Sequence, residues 1–389
     1  MQKTNKQALD IKSILVLFLT PIAAVVLIPY YAINYGFSAW DWFWFAFFMI
    51  ATGLSITAGY HRLWSHRAYK AKAPLKIFFM LFGAGALQNS IIKWSSDHRK
   101  HHRFVDDKAK DPYAATKGFW YSHFTWMLRK LPVNVGKIEN VADLQKDRIV
   151  AFQHRHYVPL AVFMCVILPM LIGACYGSIW GCLLLAGLLR LVLNHHFTFF
   201  INSLAHIWGK QRYSDENTAK DNPLLSLVTY GEGYHNFHHK YAGDYRNGVK
   251  WYDFDPSKWL IYGCTKIGWA HELKTTPKPV IEAAKASMQL KTMQARLARK
   301  KSDTHTLETI VEFESRIESQ YKALFDSIRA WAKAKQAFRT AQKARTPSAR
   351  LFRLKARYQI LKRRFKAERK IWQAVIDGAS TRLLPGSAA

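Results

Sequence analysis

The sequence predicts an all-α integral membrane protein. Four transmembrane helices form two hairpins beneath a cytosolic helical cap that holds a histidine-rich dimetal site, and a basic helical hairpin follows at the C-terminal end. Three observations predict it. Four segments are apolar enough to cross a bilayer, which takes about 20 residues of helix. Eight of the sixteen histidines fall in three clusters: His61-Arg-Leu-Trp-Ser-His66, His98-Arg-Lys-His101-His102 and His235-Asn-Phe-His238-His239. Beyond Pro279 the composition turns from apolar to basic.

The first span is expected from Ser13 to Ile33 and the second from about Trp42 to Tyr60. Trp40, Trp42 and Trp44 form an interfacial aromatic belt at the start of the second. The third runs from Tyr157 to Cys175 and the fourth from Ile179 to about Phe200. Pro21, Pro29 and Pro169 fall inside spans, where neighbouring helices tolerate the kinks. The links Asn34 to Asp41 and Tyr176-Gly-Ser178 contain no Lys or Arg, whereas Lys3, Lys6 and Lys12 precede the first span. Lys and Arg are abundant in the other connections, so the positive-inside rule puts both termini and every histidine cluster in the cytoplasm. A fifth apolar stretch, Leu75 to Ile92, is interrupted by Gly83, Gly85, Gln88 and Asn89. Crossing there would put the first two clusters on opposite faces, so a helix in or near the interface is expected. The first apolar run leads into the second without a small-residue cleavage site, so no signal peptide is expected.

The 389 residues carry 57 Lys and Arg against 26 Asp and Glu, a net charge of +31. Such a surface attracts polyanions. No nucleic-acid motif accompanies the charge, and the spans turn the expectation toward lipid and a phosphate-bearing ligand. Cys165, Cys175, Cys182 and Cys264 show no pairing pattern and read as small apolar side chains.

Residues 1–276 are taken as a membrane domain and 277–389 as a basic α-helical extension. The extension holds about 26 basic and about 9 acidic residues. Ile310, Ile317, Leu324, Trp331 and Phe338 recur every seven residues, as do Leu351, Tyr358, Phe365 and Trp372, with Leu354 and Leu361 between. That period is a helical seam, and Thr346-Pro-Ser348 is a turn signal between the two runs. The hairpin packs on itself or on a second chain, or docks on the membrane; a solvated spacer is the plain alternative.

Residues i, i+3 and i+4 share a helix face, so His98, His101 and His102 are expected to point together, as are His235, His238 and His239. His61 and His66 are five apart and do not align on a regular helix, but the end of a span delivers both. Asn202 and His206, four apart at the end of the fourth span, add an amide and another imidazole. Nine imidazoles at one membrane depth suffice for two ions with four or five nitrogens each. That suits iron better than structural zinc, which prefers four ligands and usually recruits thiolates. Asp97, Asp106, Asp107, Asp111 and Glu232 lie close enough in sequence to orient the rings. His123, His154, His156, His195, His196, His271 and His305 are read as solvated.

These residues resemble the membrane fatty-acid desaturases, and most closely the acyl-CoA Δ9 (stearoyl-CoA type) branch, in a bacterial-type form without fused cytochrome b5. The stretches that carry the resemblance are Thr57-Ala-Gly-Tyr-His-Arg-Leu-Trp-Ser-His-Arg67, Trp94-Ser-Ser-Asp-His-Arg-Lys-His-His102, Asp111-Pro-Tyr, Gly118-Phe-Trp-Tyr-Ser-His123, Asn202-Ser-Leu-Ala-His206 and Gly231-Glu-Gly-Tyr-His-Asn-Phe-His-His239. The resemblance covers about Ile14 to Lys274. It implies a four-helix membrane domain, a di-iron centre and a bent acyl tunnel, in a bacterial inner membrane. By it, His61, His66, His98, His101, His102, His206, His235, His238 and His239 are iron ligands, and Asn202 reaches one metal through water. Gln88, Trp94, Thr198 and Phe199 match positions that line or bend the tunnel, where the family commonly has Trp in place of Phe199. Asn89, Asp97 and Lys117 match contacts to the CoA part, and Ser96 stands where animal members carry Arg.

The implied reaction is O2-dependent desaturation of a saturated fatty acyl-CoA to a cis olefin at Δ9. O2 is the co-substrate, and zinc is the expected substitute for iron on overexpression. No His-Pro-Gly-Gly haem stretch, Gly-x-Gly-x-x-Gly fingerprint or iron–sulfur cysteine spacing is present, so a separate donor is expected: a ferredoxin or a cytochrome b5-like protein with its NAD(P)H reductase. Desaturation of phospholipid-linked chains, di-iron hydroxylation of fatty acids or alkanes, and membrane metal transport are the alternatives. Transport calls for charged or metal-binding groups within the spans, which offer only Arg190, His195 and His196.

Overall fold

The computed structural model describes residues 8–130, 138–300 and 307–383. Lys3, Lys6, His305 and Pro385 lie outside them, as does the side chain of Ile310. Among the described residues, four helices are long and apolar enough to cross a membrane: α1 (Ile11–Asn34), α2 (Ala39–Ser65), α5 (Tyr157–Ala174) and α6 (Ile179–Ile207). The second and fourth run beyond the apolar stretches that predicted them, and those extensions carry His61 and His206. Between them come α3 (Ala73–Gly85) and α4 (Ile91–Phe104), and after them α7 (Pro223–Val228), α8 (His235–Lys240) and α9 (Pro256–Lys266). A two-stranded antiparallel ribbon, β1 (Lys70–Ala71) with β2 (Ala270–His271), closes this part.

The two hairpins are joined where their links meet. Ser38 caps α2 in a reciprocal box with Asp41, satisfying amide donors at the helix start. Asp41 is fully buried, and its carboxylate also accepts from Tyr176 Oη at 2.8 Å and Ser178 Oγ at 3.0 Å. A buried carboxylate is tolerable only when donors surround it. Gly173 allows the second link to close: a Cβ there would lie 2.5 Å from Ser178 O and 2.8 Å from Ile179 Cα.

The apolar stretch after the second span is two helices, not one. α3 stops at Gly85, and α4 starts at Ile91 behind Ser90, whose hydroxyl accepts from Lys93 N. α3 packs close to α2 because a Cβ at Gly83 would overlap the Tyr60 ring and one at Gly59 would overlap Phe79. The carbonyls left over at the end of α3 are taken up by α6: Arg190 Nη1 donates to Gly85 O, and His195 Nε2 donates to Ala86 O at 3.0 Å. Reading His195 as solvated is therefore corrected; it is buried because the helix end needs a donor where water is scarce. His123 is also buried, with Nδ1 3.0 Å from Ser203 Oγ and Nε2 3.1 Å from His196 Nδ1. His154 Nδ1 lies 2.7 Å from the Ser90 hydroxyl, while His156 is half-buried and His271 exposed.

The chain divides into two compact units, residues 1–211 with 216–275, and residues 212–215 with 276–389. The second contains α10 (Lys278–Lys300), α11 (Leu307–Lys343) and α12 (Ser348–Leu383). α11 and α12 are antiparallel along the heptad seam: Trp331 stacks on Phe365 with centroids 4.7 Å apart, and Phe338 on Tyr358 at 6.0 Å. α10 adds a third helix that the heptads did not announce. It buries Ala286, Met293 and Leu297 against the seam, and Gln289 Oε1 accepts from Trp372 Nε1 at 2.8 Å.

Replacing Gly173 by Ala forces the new methyl into backbone rather than into a movable side chain. We expect a loss of about 1–3 kcal/mol, the range for overpacking, seen as a lower thermal midpoint in detergent; an unchanged midpoint contradicts the close approach.

Candidate metal centre

The first pair of histidines depends on a change of helix type. From Ser55 to Ser65, α2 is a π-helix, in which hydrogen bonds run to the fifth residue, and His66 N donates to His61 O at 3.0 Å. Residues five apart then stack, and the two rings have centroids 4.8 Å apart. A regular helix would separate them. The i, i+5 spacing itself is the only sequence signal for this winding.

α4 supplies His98, His101 and His102, the end of α6 supplies His206, and α8 supplies His235, His238 and His239. The nine rings sort into two groups. His61, His66, His98, His102 and His238 form one, and His101, His206, His235 and His239 the other; within each group the ring nitrogens lie within 4.8 Å of one another. The expectation that each helical cluster points together is corrected in this respect, because both clusters straddle the two groups. Neighbouring residues on a helix diverge by about 100°, so His101 and His102 serve different groups, as do His238 and His239. His102 and His239 stack face to face across the divide, 4.3 Å between centroids.

Nitrogen faces nitrogen throughout. His61 Nε2 lies 3.0 Å from His238 Nε2, His66 Nε2 2.8 Å from His98 Nε2, and His235 Nε2 3.1 Å from His206 Nε2. In each of these pairs one ring has its other nitrogen held from outside. His61 Nδ1 is 3.0 Å from Glu232 Oε2, His98 Nδ1 is 3.3 Å from Tyr113 Oη, and His206 Nδ1 is 2.8 Å from Thr218 Oγ1, which donates to Asp106 Oδ1 at 2.6 Å. With the proton on Nδ1, the Nε2 lone pair points inward. Burial, and after it the neighbouring imidazoles and cations, holds His66, His98, His102, His235, His238 and His239 well below the usual histidine range. Neutral imidazole is the metal-binding form. At His101, Asp111 Oδ1 holds Nδ1 at 3.0 Å, and among the described residues the buried Nε2 has no hydrogen-bonding partner. Lone pairs converging in a buried space call for a cation. Groups of five and four converging nitrogens would hold two metal ions.

Of the carboxylates expected to orient rings, Glu232 and Asp111 do so directly and Asp106 does so through Thr218. Asp97 and Asp107 do not. Asp97 is taken by Lys93 Nζ at 2.7 Å, one helical turn away, and Asp107 accepts from the Ala109 and Lys110 amides of its own turn. The sequence reading passed over Tyr113, Thr218 and Arg62. Arg62, between His61 and His66, is fully buried and donates to Glu232 Oε1 at 2.9 Å and to Tyr245 O at 2.9 Å. It also pairs with Asp255 at 2.9 Å. Burial raises Glu232, but His61 and Arg62 outweigh it and hold the carboxyl below its usual range.

A cavity of about 400 Å³ opens beside the first group, with His61, His98 and Glu232 in its wall. Gln88, Asn89, Trp94, Asp97, Thr198, Phe199 and Asn202 line it as well. Gln88 ties three elements together: its Nε2 donates to Thr198 Oγ1 at 2.9 Å and its Oε1 accepts from Trp94 Nε1 at 3.4 Å. Trp94 in turn stacks on His98, 4.9 Å between centroids. Lys117 is not in the wall; it is exposed, with Nζ 3.2 Å from Tyr121 Oη. Ser96 is buried and donates to Glu139 O at 3.0 Å.

Arg62→Met leaves Glu232 and Asp255 buried without their cation. Breaking a buried pair in this way costs about 3–5 kcal/mol, so the thermal midpoint should fall markedly more than for an exposed control such as Lys70→Met. Equal midpoints would remove Arg62 from the framework of the site.

Residues 13–265 match the family described as Fatty acid desaturase. The chain is 50% identical over 233 residues to a probable acyl-CoA desaturase of Schizosaccharomyces pombe, which covers 59% of this chain and 48% of that one. It is 42% identical over 254 residues to acyl-CoA desaturase 1 of Saccharomyces cerevisiae, covering 65% and 50%. It is 39% identical over 248 residues to stearoyl-CoA desaturase 5 of Bos taurus, covering 62% and 74%. The chain spans about half the length of the two yeast relatives.

Proposed function

The chain belongs to the fatty acid desaturase family, and we propose that it is an O2-dependent di-iron enzyme that places a cis double bond, at Δ9, in a saturated fatty acyl-CoA. The observation that carries this reading is the pair of buried imidazole groups, one of which borders a largely apolar cavity. The relatives' names supply the substrate class. Groups of five and four nitrogens favour iron over a four-coordinate structural zinc. All nine histidines are assigned as ligands, with Asn202 acting through water.

Iron with O2 and donated electrons supplies the oxidising power to remove hydrogen from an unactivated methylene, which no side-chain acid or base can do. The protein's own residues do the rest. Glu232, Asp111, Thr218 and Tyr113 keep protons on the outer nitrogens of His61, His101, His206 and His98, so the inner lone pairs stay available. Gln88, Thr198 and Trp94 fix the cavity wall next to His98, and that wall decides which carbons of a threaded chain lie nearest the imidazoles. Phe199 fills less of the wall than the Trp common in the family. Asn89, Asp97 and Lys117 are assigned to the CoA part. The site faces the cytoplasm of a bacterial inner membrane. Electrons come from a separate ferredoxin or cytochrome b5-like protein served by an NAD(P)H reductase, drawn by the net charge of +31. Among the described residues, those beyond Thr276 give no ligand to either imidazole group; we assign these helices to self-association or donor coupling, as a module separable from the membrane domain.

Two measurements test the proposal. Iron-loaded protein given a reductant system, O2 and stearoyl- or palmitoyl-CoA should yield an olefin two hydrogens lighter than the substrate. Gain of one oxygen would instead make it a hydroxylase, and conversion of phospholipid-linked chains alone would move the substrate to lipid. Elemental analysis should find about two metal ions per chain, with zinc competing on overexpression. His101→Ala should still insert in the membrane but lose metal and more than about a hundredfold in turnover, beyond the roughly 10–100-fold typical of losing an outer hydrogen-bonding partner; full metal content in that variant would remove His101 from the ligand set.

A further inference from the structure

After the fourth span the chain does not simply leave the membrane. Tyr230 reaches back between α2 and α6, with its hydroxyl 2.8 Å from Met49 O and 3.2 Å from Asn194 Oδ1. Its ring occupies the space a Cβ at Gly53 would need, 2.2 Å away. A second tie lies nearby: Ser257 Oγ, at the start of α9, is 2.6 Å from Thr57 Oγ1 of α2 and donates to Tyr230 O at 3.0 Å. These bonds fix depth. Ala39, beside the Trp40 and Trp42 belt, marks the far edge of the hydrocarbon. At 1.5 Å per residue, Gly53 lies about 21 Å in from Ala39 and Thr57 about 27 Å in, within a core about 30 Å thick. The Tyr230 ring is therefore held below the headgroups on the histidine side, its backbone and the start of α9 lie near their level, and α7 ends two residues before it.

The outward side chains match those depths. On α7, Leu225 and Ser226 are buried, while Leu224 and Leu227, three apart on one face, are 64% and 54% exposed. Trp251 is 83% exposed and Tyr252 59%. On α9, Ser257, Lys258, Ile261 and Cys264 are buried, whereas Trp259 and Tyr262 face outward. Lys250 Nζ lies 5.1 Å from the Tyr252 ring and Lys266 Nζ 5.0 Å from the Tyr262 ring. Aliphatic side chains deep, and aromatic rings beside lysines at the edge, are the order of a bilayer interface.

The geometry points to a membrane contact besides the four spans: Leu224 and Leu227 enter the acyl layer of the leaflet on the histidine side, and Trp251, Tyr252, Trp259 and Tyr262 rest among its headgroups. The segment between these anchors carries Glu232, His235, His238 and His239. The bilayer thus braces the part of the chain that delivers a third of the imidazoles, and α7 acts as a partly inserted helix rather than a loop in water.

The test is spin-label accessibility in full-length protein reconstituted into phosphatidylcholine–phosphatidylglycerol nanodiscs, in a Cys175→Ser background because Cys175 is the exposed native thiol. Leu224→Cys and Leu227→Cys should favour collision with oxygen over a polar nickel chelate several-fold, as Val25→Cys in α1 should, with Lys108→Cys as the aqueous reference and Trp251→Cys between them. Leu224→Cys and Leu227→Cys ranking with Lys108→Cys, while Val25→Cys stays oxygen-favoured, overturns the contact and leaves the spans intact. If Val25→Cys also ranks with Lys108→Cys, the spans fall, and the contact falls with them.

Discussion

Lone pairs facing lone pairs across about 3 Å are the constraint on which this structure turns. Nine imidazoles are packed so that their nitrogens meet in two groups, and in a buried space like charges that close would repel strongly. Burial holds most of these rings neutral, but neutrality alone does not make nitrogen-to-nitrogen contacts favourable. The surrounding architecture serves to keep them in place. Glu232 and Asp111 grip His61 and His101 from behind. Arg62 then neutralises Glu232 and Asp255, linking the end of the second span to α8 and α9. Removing one partner would leave a buried charge behind, so the framework is held together more by mutual need than by net attraction.

The same logic governs the membrane part. Polar groups there are few, and each pays for its place with several bonds. Asp41 gathers Ser38, Tyr176 and Ser178, closing the far end of both hairpins. Arg190 and His195 donate to carbonyls at the end of α3, so a helix can stop beside the spans without orphaned acceptors. Stopping it there lets the chain turn into α4, which brings His98, His101 and His102 under the ends of α2 and α6. The few charged and imidazole groups in the spans thus serve to position the cavity and the imidazoles around it.

The spans, the one-sided placement of the clusters and the heptad seam of α11 and α12 were legible because each rests on a local period of apolar residues. Six of the nine histidines were legible from their i, i+3, i+4 spacing, and His61, His66 and His206 from their place at the ends of spans. What escaped was non-local or concerned helix type. Ser55–Ser65 winds as a π-helix, and no apolar period marks that. Tyr113 and Thr218 orient rings on other elements, and a lone Tyr or Thr carries no signal. Asp97 is adjacent to His98 in sequence, yet on a helix it points elsewhere and meets Lys93 instead. His123 and His195 lie outside the three histidine clusters, and nothing in their local spacing separated a buried ring from a solvated one.

Sequence alone determined that the chain crosses a membrane with clustered imidazoles on one face, because hydrophobic length and ligand spacing are properties of contiguous residues. Only the tertiary structure decided how nine rings divide into five and four, which carboxylates stand behind them, and that Tyr230 carries the chain back down between two spans. Those outcomes depend on side chains from 10 residues apart (His101 and Asp111) to 177 apart (His61 and His238) meeting at about 3 Å, and such meetings are set by packing and the pairing of buried polar groups, which no local pattern encodes.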